Sequence, residues 1–355
     1  MSIVVPSRIR EYEARIEEGP DFIAGLATHQ QACFVVDENV WRLYRNTLLK
    51  SIPEQEAIIL PISEERKNLE TVQSLYDRLV ERPEKRSLTI VSIGGGILQD
   101  IVGFTASTLY RGIGWIFVPT TLLAQADSCV GSKTSLNFRG YKNLVGTFYP
   151  PSVIHIYPAF LETQLDVDYY SGLGEVIKLH LMGGRRRYLY VARLLPDILG
   201  RKKEALVSAI QGSLAVKLDF LKGDEFDTGR RNLLNYGHDF GHALESVSGF
   251  SVPHGQAVIF GMLAANLVAK KRSLLSEKIE REIAETLLIP SLIVKPRLEV
   301  LEPEAIIDAM KKDKKRTGDK LALIMMVDDF EFKRVYDLTP GEVVCVLDAL
   351  GKQCI

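Results

Sequence analysis

The segment LTIVSIGGGILQDIVGF, residues 88–104, limits the architectures open to this chain more than any other. An apolar strand runs straight into Gly94, Gly95 and Gly96, and a helix is expected to begin near Ile97. That order is the βα unit of a parallel sheet. Missing side chains let a pyrophosphate approach backbone N–H groups at the start of the helix. The same three glycines also suit a tight turn with no ligand. The spacing departs from GxGxxG, and no acidic residue follows about twenty positions later. Asp37, which closes the earlier strand in CFVVDENV, could take ribose hydroxyls instead, or simply cap the next helix.

Short apolar runs at Ala32–Val36, Ala57–Leu60, Leu88–Ile93 and Trp115–Val118 predict further strands. Asn39–Leu49 and Asn68–Glu81 carry apolar residues at helical spacing between them. After about Asp166 the rhythm changes. Helices are predicted at Tyr169–Met182, Glu204–Leu221, His238–Ser248, Gly255–Lys271 and Ser276–Leu287. A late hairpin is expected from Leu321–Val327 and Glu331–Val335, with Asp328 and Asp329 at its turn. With 355 residues and 46% hydrophobic content, the chain can fill two cores. The expected division is an α/β Rossmann-like nucleotide-binding domain over 1–165 and a mainly α-helical metal- and substrate-binding domain over 166–355.

Forty-four basic against forty-five acidic residues argue against a nucleic-acid or membrane-surface binder that works through bulk charge. An anionic ligand must then be held by local cations. Cys33, Cys129, Cys345 and Cys354 form no CxxC pair or disulfide-like spacing, which suits a reducing compartment. The first residues are charged every few positions, and no run approaches a membrane span, so a cytoplasmic location is expected.

Three of the six histidines lie within seventeen positions, in NYGHDFGHALE and VPHGQAV. His238 and His242 are four apart, hence on one helical face, and can serve as two ligands or as one ligand and one base. With His254 and with Glu175 of GLGEVIK they suit a zinc site that keeps an open position for substrate. Arg111, Lys133, Lys142 and Asn143 are expected in loop-like or helix-end contexts. Together with Lys178, Lys217, Arg231 and Lys314, these cations could neutralise a phosphate and a carboxylate, or could be solvated surface charges. The runs 185–187 and 201–203 are read as solvated.

EERKNLETV, GGGILQD, YRGI, PTTLLAQADSCVGSKTSLN, KNLVGTF, FLET, GLGEVIK, RRNLLNYGHDFGHALE, HGQAV and DKK follow one another in order. The chain resembles the 3-dehydroquinate synthases and their relatives, the sugar phosphate cyclases, over Asp37 to Lys315. The resemblance implies an NAD-binding first domain, a metal-bearing helical second domain and an active site in the cleft between. It makes Glu175, His238 and His254 the ligands of zinc, or of another divalent metal such as cobalt, with His242 as an acid–base or hydrogen-bonding neighbour. NAD contacts would come from Asp37, Glu64, Lys67, Gly95, Gly96, Asp100, Thr120, Thr121, Lys142 and Thr163. Substrate contacts would fall to Asp127, Lys133, Asn143, Lys178, Lys217, Arg231, Asn235 and Lys314. Arg111 would reach the phosphate of a neighbouring subunit, which implies a homodimer.

The implied reaction is a phosphate-eliminating cyclisation in the shikimate pathway. NAD takes and later returns a hydride, so there is no net redox change. Arg231 and Asn235 match the members that use a carboxylated substrate, here 3-deoxy-arabino-heptulosonate 7-phosphate, a small phosphorylated sugar acid. His242 is likewise kept. Ser132, Ser135, Asp239 and Gln256 depart from the family's glycines, threonine and glutamate, and Tyr157 and Pro158 stand where Asp-Thr is usual. They leave open another sugar phosphate, an aminated analogue or sedoheptulose 7-phosphate. A metal-dependent NAD alcohol or glycerol dehydrogenase is the reading from another reaction class. It has no need of Lys133, Asn143, Lys178 and Lys314 together.

Overall fold

The parallel strands form because their runs are apolar on both faces. Ala32–Val36 is buried residue after residue, as a strand covered on two sides requires. The structure, a computed structural model, describes residues 1–29, 31–296, 301–312 and 321–354. It divides into one unit of residues 1–163 with 221–226 and a second of residues 164–220 with 227–355.

In the first unit the strands are β1 (Ser2–Val5), β2 (Tyr12–Ile16), β3 (Ala32–Asp37), β4 (Ala57–Leu60), β5 (Thr89–Gly94), β6 (Gly114–Pro119), β7 (Lys133–Phe138), β8 (Tyr141–Phe148) and β9 (Val153–Ile156). Seven make one sheet in the order β1-β2-β9-β6-β5-β3-β4, parallel except for β1. The helices are α1 (Asp21–Ala27), α2 (Glu38–Tyr44), α3 (Leu69–Val80) and α4 (Gly96–Thr108). The chain leaves β3 for β4 on one side and returns to β5 on the other, so the order reverses between β3 and β5. Ligands of open α/β sheets sit outside the strand ends at such a reversal. Asp37 closes β3 there, Gly94 closes β5, and Gly95 and Gly96 lead into α4.

β7 and β8 form a separate antiparallel hairpin. Lys133, Lys142 and Asn143 therefore lie on strands, not in the loops or helix ends expected of them. Much of β8 is exposed, so the period-two signal of a half-buried strand is missing. The helix expected over 39–49 stops at Tyr44 and continues as turns.

The second unit holds α5 (Asp166–Met182), α6 (Arg185–Leu199), α7 (Lys203–Leu221), α8 (His238–Val247), α9 (His254–Lys271), α10 (Glu277–Ile283), α11 (Pro303–Lys312) and α12 (Pro340–Cys354). The hairpin β10 (Leu321–Val327) and β11 (Glu331–Leu338) accompanies them. α9 is buried along nearly its whole length and packs on α5, α8, α12 and β10. α6 was not anticipated, yet Tyr188, Val191, Leu195 and Ile198 form its buried stripe. Nor is Arg201 a solvated charge: its guanidinium donates to the Gln164 carbonyl and Asp166 and lies over the Tyr169 ring. Among the described residues, no helix is long and apolar enough to cross a membrane.

Candidate metal centre and nucleotide cradle

In the first unit, the glycine turn is required by close approach, since none of its three residues has a positive φ. A β-carbon on Gly94 would stand 2.6 Å from Leu98 Cδ2 and 3.3 Å from Asp37 Cβ, and one on Gly95 3.0 Å from Thr121 Cγ2. Asp37 does cap α2: Oδ1 accepts from the Asn39 N–H at 2.8 Å and the Val40 N–H at 3.4 Å. Thr120 donates its N–H to the Gly94 carbonyl, and the Thr121 hydroxyl accepts from the Ala124 N–H. Thr163 pairs with the Tyr44 hydroxyl at 2.6 Å.

Lys67 is buried, and its ammonium lies 2.5 Å from Asp100 Oδ2 and 2.6 Å from Asn143 Oδ1. Ser135 approaches the same two acceptors through its hydroxyl, at 3.0 and 2.9 Å, while its N–H donates to Asp100 Oδ1. Residues implied for cofactor and for substrate are thus joined in one polar cluster. Asn143 adopts φ 53, and a hydrogen bond from its N–H to Asn137 Oδ1 holds it in this conformation. Glu64 accepts from Asn137 Nδ2 and has Lys142 Nζ at 4.0 Å. Arg111 stands in the turn after α4 with φ 67, Asp127 lies in the turn over Ala124–Ser128, and Lys133 is exposed at the head of β7.

In the second unit, α5 supplies Glu175 and Lys178, α8 supplies His238 and His242, and α9 begins with His254. Both His238 Nε2 and His254 Nε2 face Glu175 Oε1, at 3.5 and 3.2 Å. Each ring is held from behind: His238 Nδ1 lies 3.2 Å from the Tyr236 carbonyl and His254 Nδ1 3.1 Å from Glu245 Oε2. Lys178 holds the second Glu175 oxygen at 2.5 Å. The His242 ring packs 5.2 Å from that of His238 and 6.0 Å from that of His254.

These distances suit a divalent ion. Metal bonds of about 2.0–2.1 Å in a tetrahedron set neighbouring donors about 3.3–3.4 Å apart. Burial alone would raise the Glu175 carboxyl, but the Lys178 ammonium and the contacts from His254 outweigh it and hold the group well below the usual carboxylate range. Burial disfavours charge on His254, yet the Glu175 and Glu245 carboxylates push it up to about 10. The site therefore attracts positive charge, as a proton or as a cation.

Lys217 and Arg231 are buried cations on α7 and in the turn Arg230–Asn235, and Asn235 donates to the Asn232 carbonyl three residues before His238. Buried cations are costly unless they meet anions. Lys314 lies outside the described residues, as does the rest of DKK.

Three departures from the family pattern turn towards the protein. Asp239 Oδ2 accepts from the Ile324 N–H of β10. Gln256 Nε2 donates to the Tyr170 and Ser291 carbonyls while Oε1 accepts from the Ile293 and Val294 N–H groups, so all its hydrogen-bonding capacity is used. Ser132 donates to Glu225, which also receives Ser7 and the Arg8 N–H. Ser135 touches candidate site residues, Asp100 and Asn143. None of these contacts was legible in the sequence, because they depend on tertiary neighbours.

The family description "3-dehydroquinate synthase N-terminal" matches residues 57–171, and "3-dehydroquinate synthase C-terminal" matches residues 172–316. A 3-dehydroquinate synthase of Rippkaea orientalis is 32% identical over 340 residues, covering 92% of both chains. One of Natranaerobius thermophilus is 37% identical and covers 82% of both. Among solved structures, 2-epi-5-epi-valiolone synthase of Streptomyces hygroscopicus, with NAD+ and Zn2+ bound, superposes with a TM-score of 0.85 at 24% identity over 99% of both chains. At that identity the likeness speaks for the fold.

Proposed function

The chain belongs to the 3-dehydroquinate synthase family, and we propose that it converts 3-deoxy-arabino-heptulosonate 7-phosphate to 3-dehydroquinate with loss of phosphate, using NAD catalytically and one divalent cation. The observation that carries this reading is the convergence of two imidazole Nε2 atoms on one Glu175 oxygen at tetrahedral-edge spacing. Zinc or cobalt suits such a donor set.

When bound, NAD would take and return a hydride, and the cation would acidify the substrate hydroxyl it holds. The chain's own residues prepare for this. Lys178 holds one Glu175 oxygen and would leave the other, which both histidines face, to ligate a cation. His242, beside both ligand histidines, would move a proton. Lys67 fixes Asp100 and Asn143, so the residues read as cofactor and substrate contacts share one orientation. Gly95, Gly96, Thr120, Thr121, Asp37, Glu64, Lys142 and Thr163 would complete the nucleotide cradle. Arg231 would take the substrate carboxylate in a bidentate pair, and Asn235, Asp127, Lys133 and Lys217 would meet its other polar groups.

A homodimer in which Arg111 serves the neighbouring subunit, and a cytoplasmic location, belong to the same proposal. With Asp239, Gln256 and Ser132 occupied by protein groups, those departures supply no reason to change the substrate. The test is incubation with the heptulosonate phosphate, a divalent metal and substoichiometric NAD+. Phosphate released in many-fold excess over NAD+, with no NADH accumulating, is the expected result. Stoichiometric NADH would instead identify a dehydrogenase.

A further inference from the structure

One face of α8 carries His238, His242 and Glu245, at positions i, i+4 and i+7. The first two match the family's histidines. Glu245 has no role in that pattern, yet it is 6% exposed and its carboxylate meets the ring that opens α9. His254 stands between two carboxylates: Nε2 lies 3.2 Å from Glu175 Oε1 and Nδ1 3.1 Å from Glu245 Oε2. The two ligand histidines are not backed alike. A neutral backbone carbonyl stands behind His238, whereas a buried carboxylate stands behind His254.

A neutral imidazole that ligates through one nitrogen must carry its proton on the other. A carboxylate accepting that proton fixes the tautomer, locks the ring plane and makes the ligating nitrogen a better donor. We infer that Glu245 is a positioning residue that holds His254 with Nδ1 protonated and Nε2 turned to the cation. This rests on the reading of Glu175, His238 and His254 as its ligands.

The same contacts admit a competing arrangement, because His242, Glu245 and His254 also bring three donor atoms within 4.8 Å of one another. A second cation there would have to share the His254 ring, which must then lose both of its nitrogen protons. The 3.1 Å spacing of Nδ1 and Oε2 suits an N–H···O hydrogen bond and asks for no such step. One cation per chain follows.

The experiment uses the full-length protein, stripped of metal and reloaded with zinc or cobalt. Stoichiometry is read by elemental analysis, affinity by competition with a chelator, and coordination from the visible spectrum of the cobalt form. The wild type should bind one cation. Glu245→Gln should still bind one, about 10–100-fold more weakly and with an altered cobalt spectrum. His254→Ala should bind none tightly. In zinc-loaded wild type labelled with ¹⁵N-histidine, the His254 resonances should show a protonated Nδ1, a readout that needs no variant to fold. Unchanged affinity and spectrum in Glu245→Gln overturn the inference. So does a melting shift of the metal-free variant with no affinity change, and so do two cations per wild-type chain or a deprotonated Nδ1. A wild type that binds no cation at all would instead remove the metal reading on which the inference rests.

Discussion

Gly255 of α9 lies against Ser171 of α5 so closely that a β-carbon on the glycine would stand 1.7 Å from the Ser171 carbonyl oxygen. The Gly255 N–H also donates to the Ser171 hydroxyl at 2.9 Å. Gly174 returns the contact, since its own β-carbon would meet the Gly255 carbonyl at 2.3 Å. This approach of two helices sets His254 against Glu175. A methyl group at Gly255 must push backbone from backbone. Gly255→Ala should cost at least the about 1–3 kcal/mol of an overpacked core and weaken cation binding as well. Melting of the metal-free protein together with its zinc affinity checks both effects; an unchanged affinity would separate the packing from the site.

Gln256 should tolerate no carboxylate, although glutamate is the family's residue at this position. In Gln256→Glu, one carboxylate oxygen would face both the Tyr170 and Ser291 carbonyls in place of an amide that donates to each. A loss of about 1–3 kcal/mol is expected in denaturant unfolding. Substrate preference of the folded variant should not change.

Arg231→Ala should lower kcat/KM for the carboxylated substrate about 100-fold or more, which corresponds to about 2.7 kcal/mol of lost charge-assisted hydrogen bonding. Zinc content should stay at the wild-type level. Retained turnover of that substrate would take the carboxylate role away from Arg231.

Arg272 predicts a pH dependence far from the site. It hydrogen-bonds both Glu342 oxygens, at 2.6 and 2.8 Å, and also reaches Asp337. The Arg272 hydrogen bond is the chief cause that lowers the Glu342 carboxyl to about 2, against a burial effect that opposes it. A depressed folded-state pKa means that the contribution is fully present above the unfolded value, near 4.5, and is lost as pH falls towards 2. The stability difference between wild type and Glu342→Gln should therefore be constant above about pH 5 and shrink below it. Denaturant midpoints measured across that range decide the point.

Much of the site was legible because its signals are local. The strand into Gly94–Gly96 follows from a continuous apolar run, and the shared face of His238 and His242 follows from helical periodicity. β7 and β8 escaped because β7 buries only Thr134 and Leu136 and β8 has no buried position, so too few apolar residues mark the alternation. α6 escaped because three arginines and Pro196 masked a stripe that Tyr188, Val191, Leu195 and Ile198 nevertheless carry. Glu245 could not be assigned at all. Its partner is nine residues away, and the contact exists only because α8 packs on α9.

The most direct measurement is an anomalous-difference map, collected at the zinc edge from crystals of the zinc-loaded protein. A single strong peak about 2.0–2.2 Å from a Glu175 carboxylate oxygen, His238 Nε2 and His254 Nε2 is the predicted result. A peak on other side chains, or none at these three in protein that turns over the heptulosonate phosphate, would contradict the assignment of the metal centre.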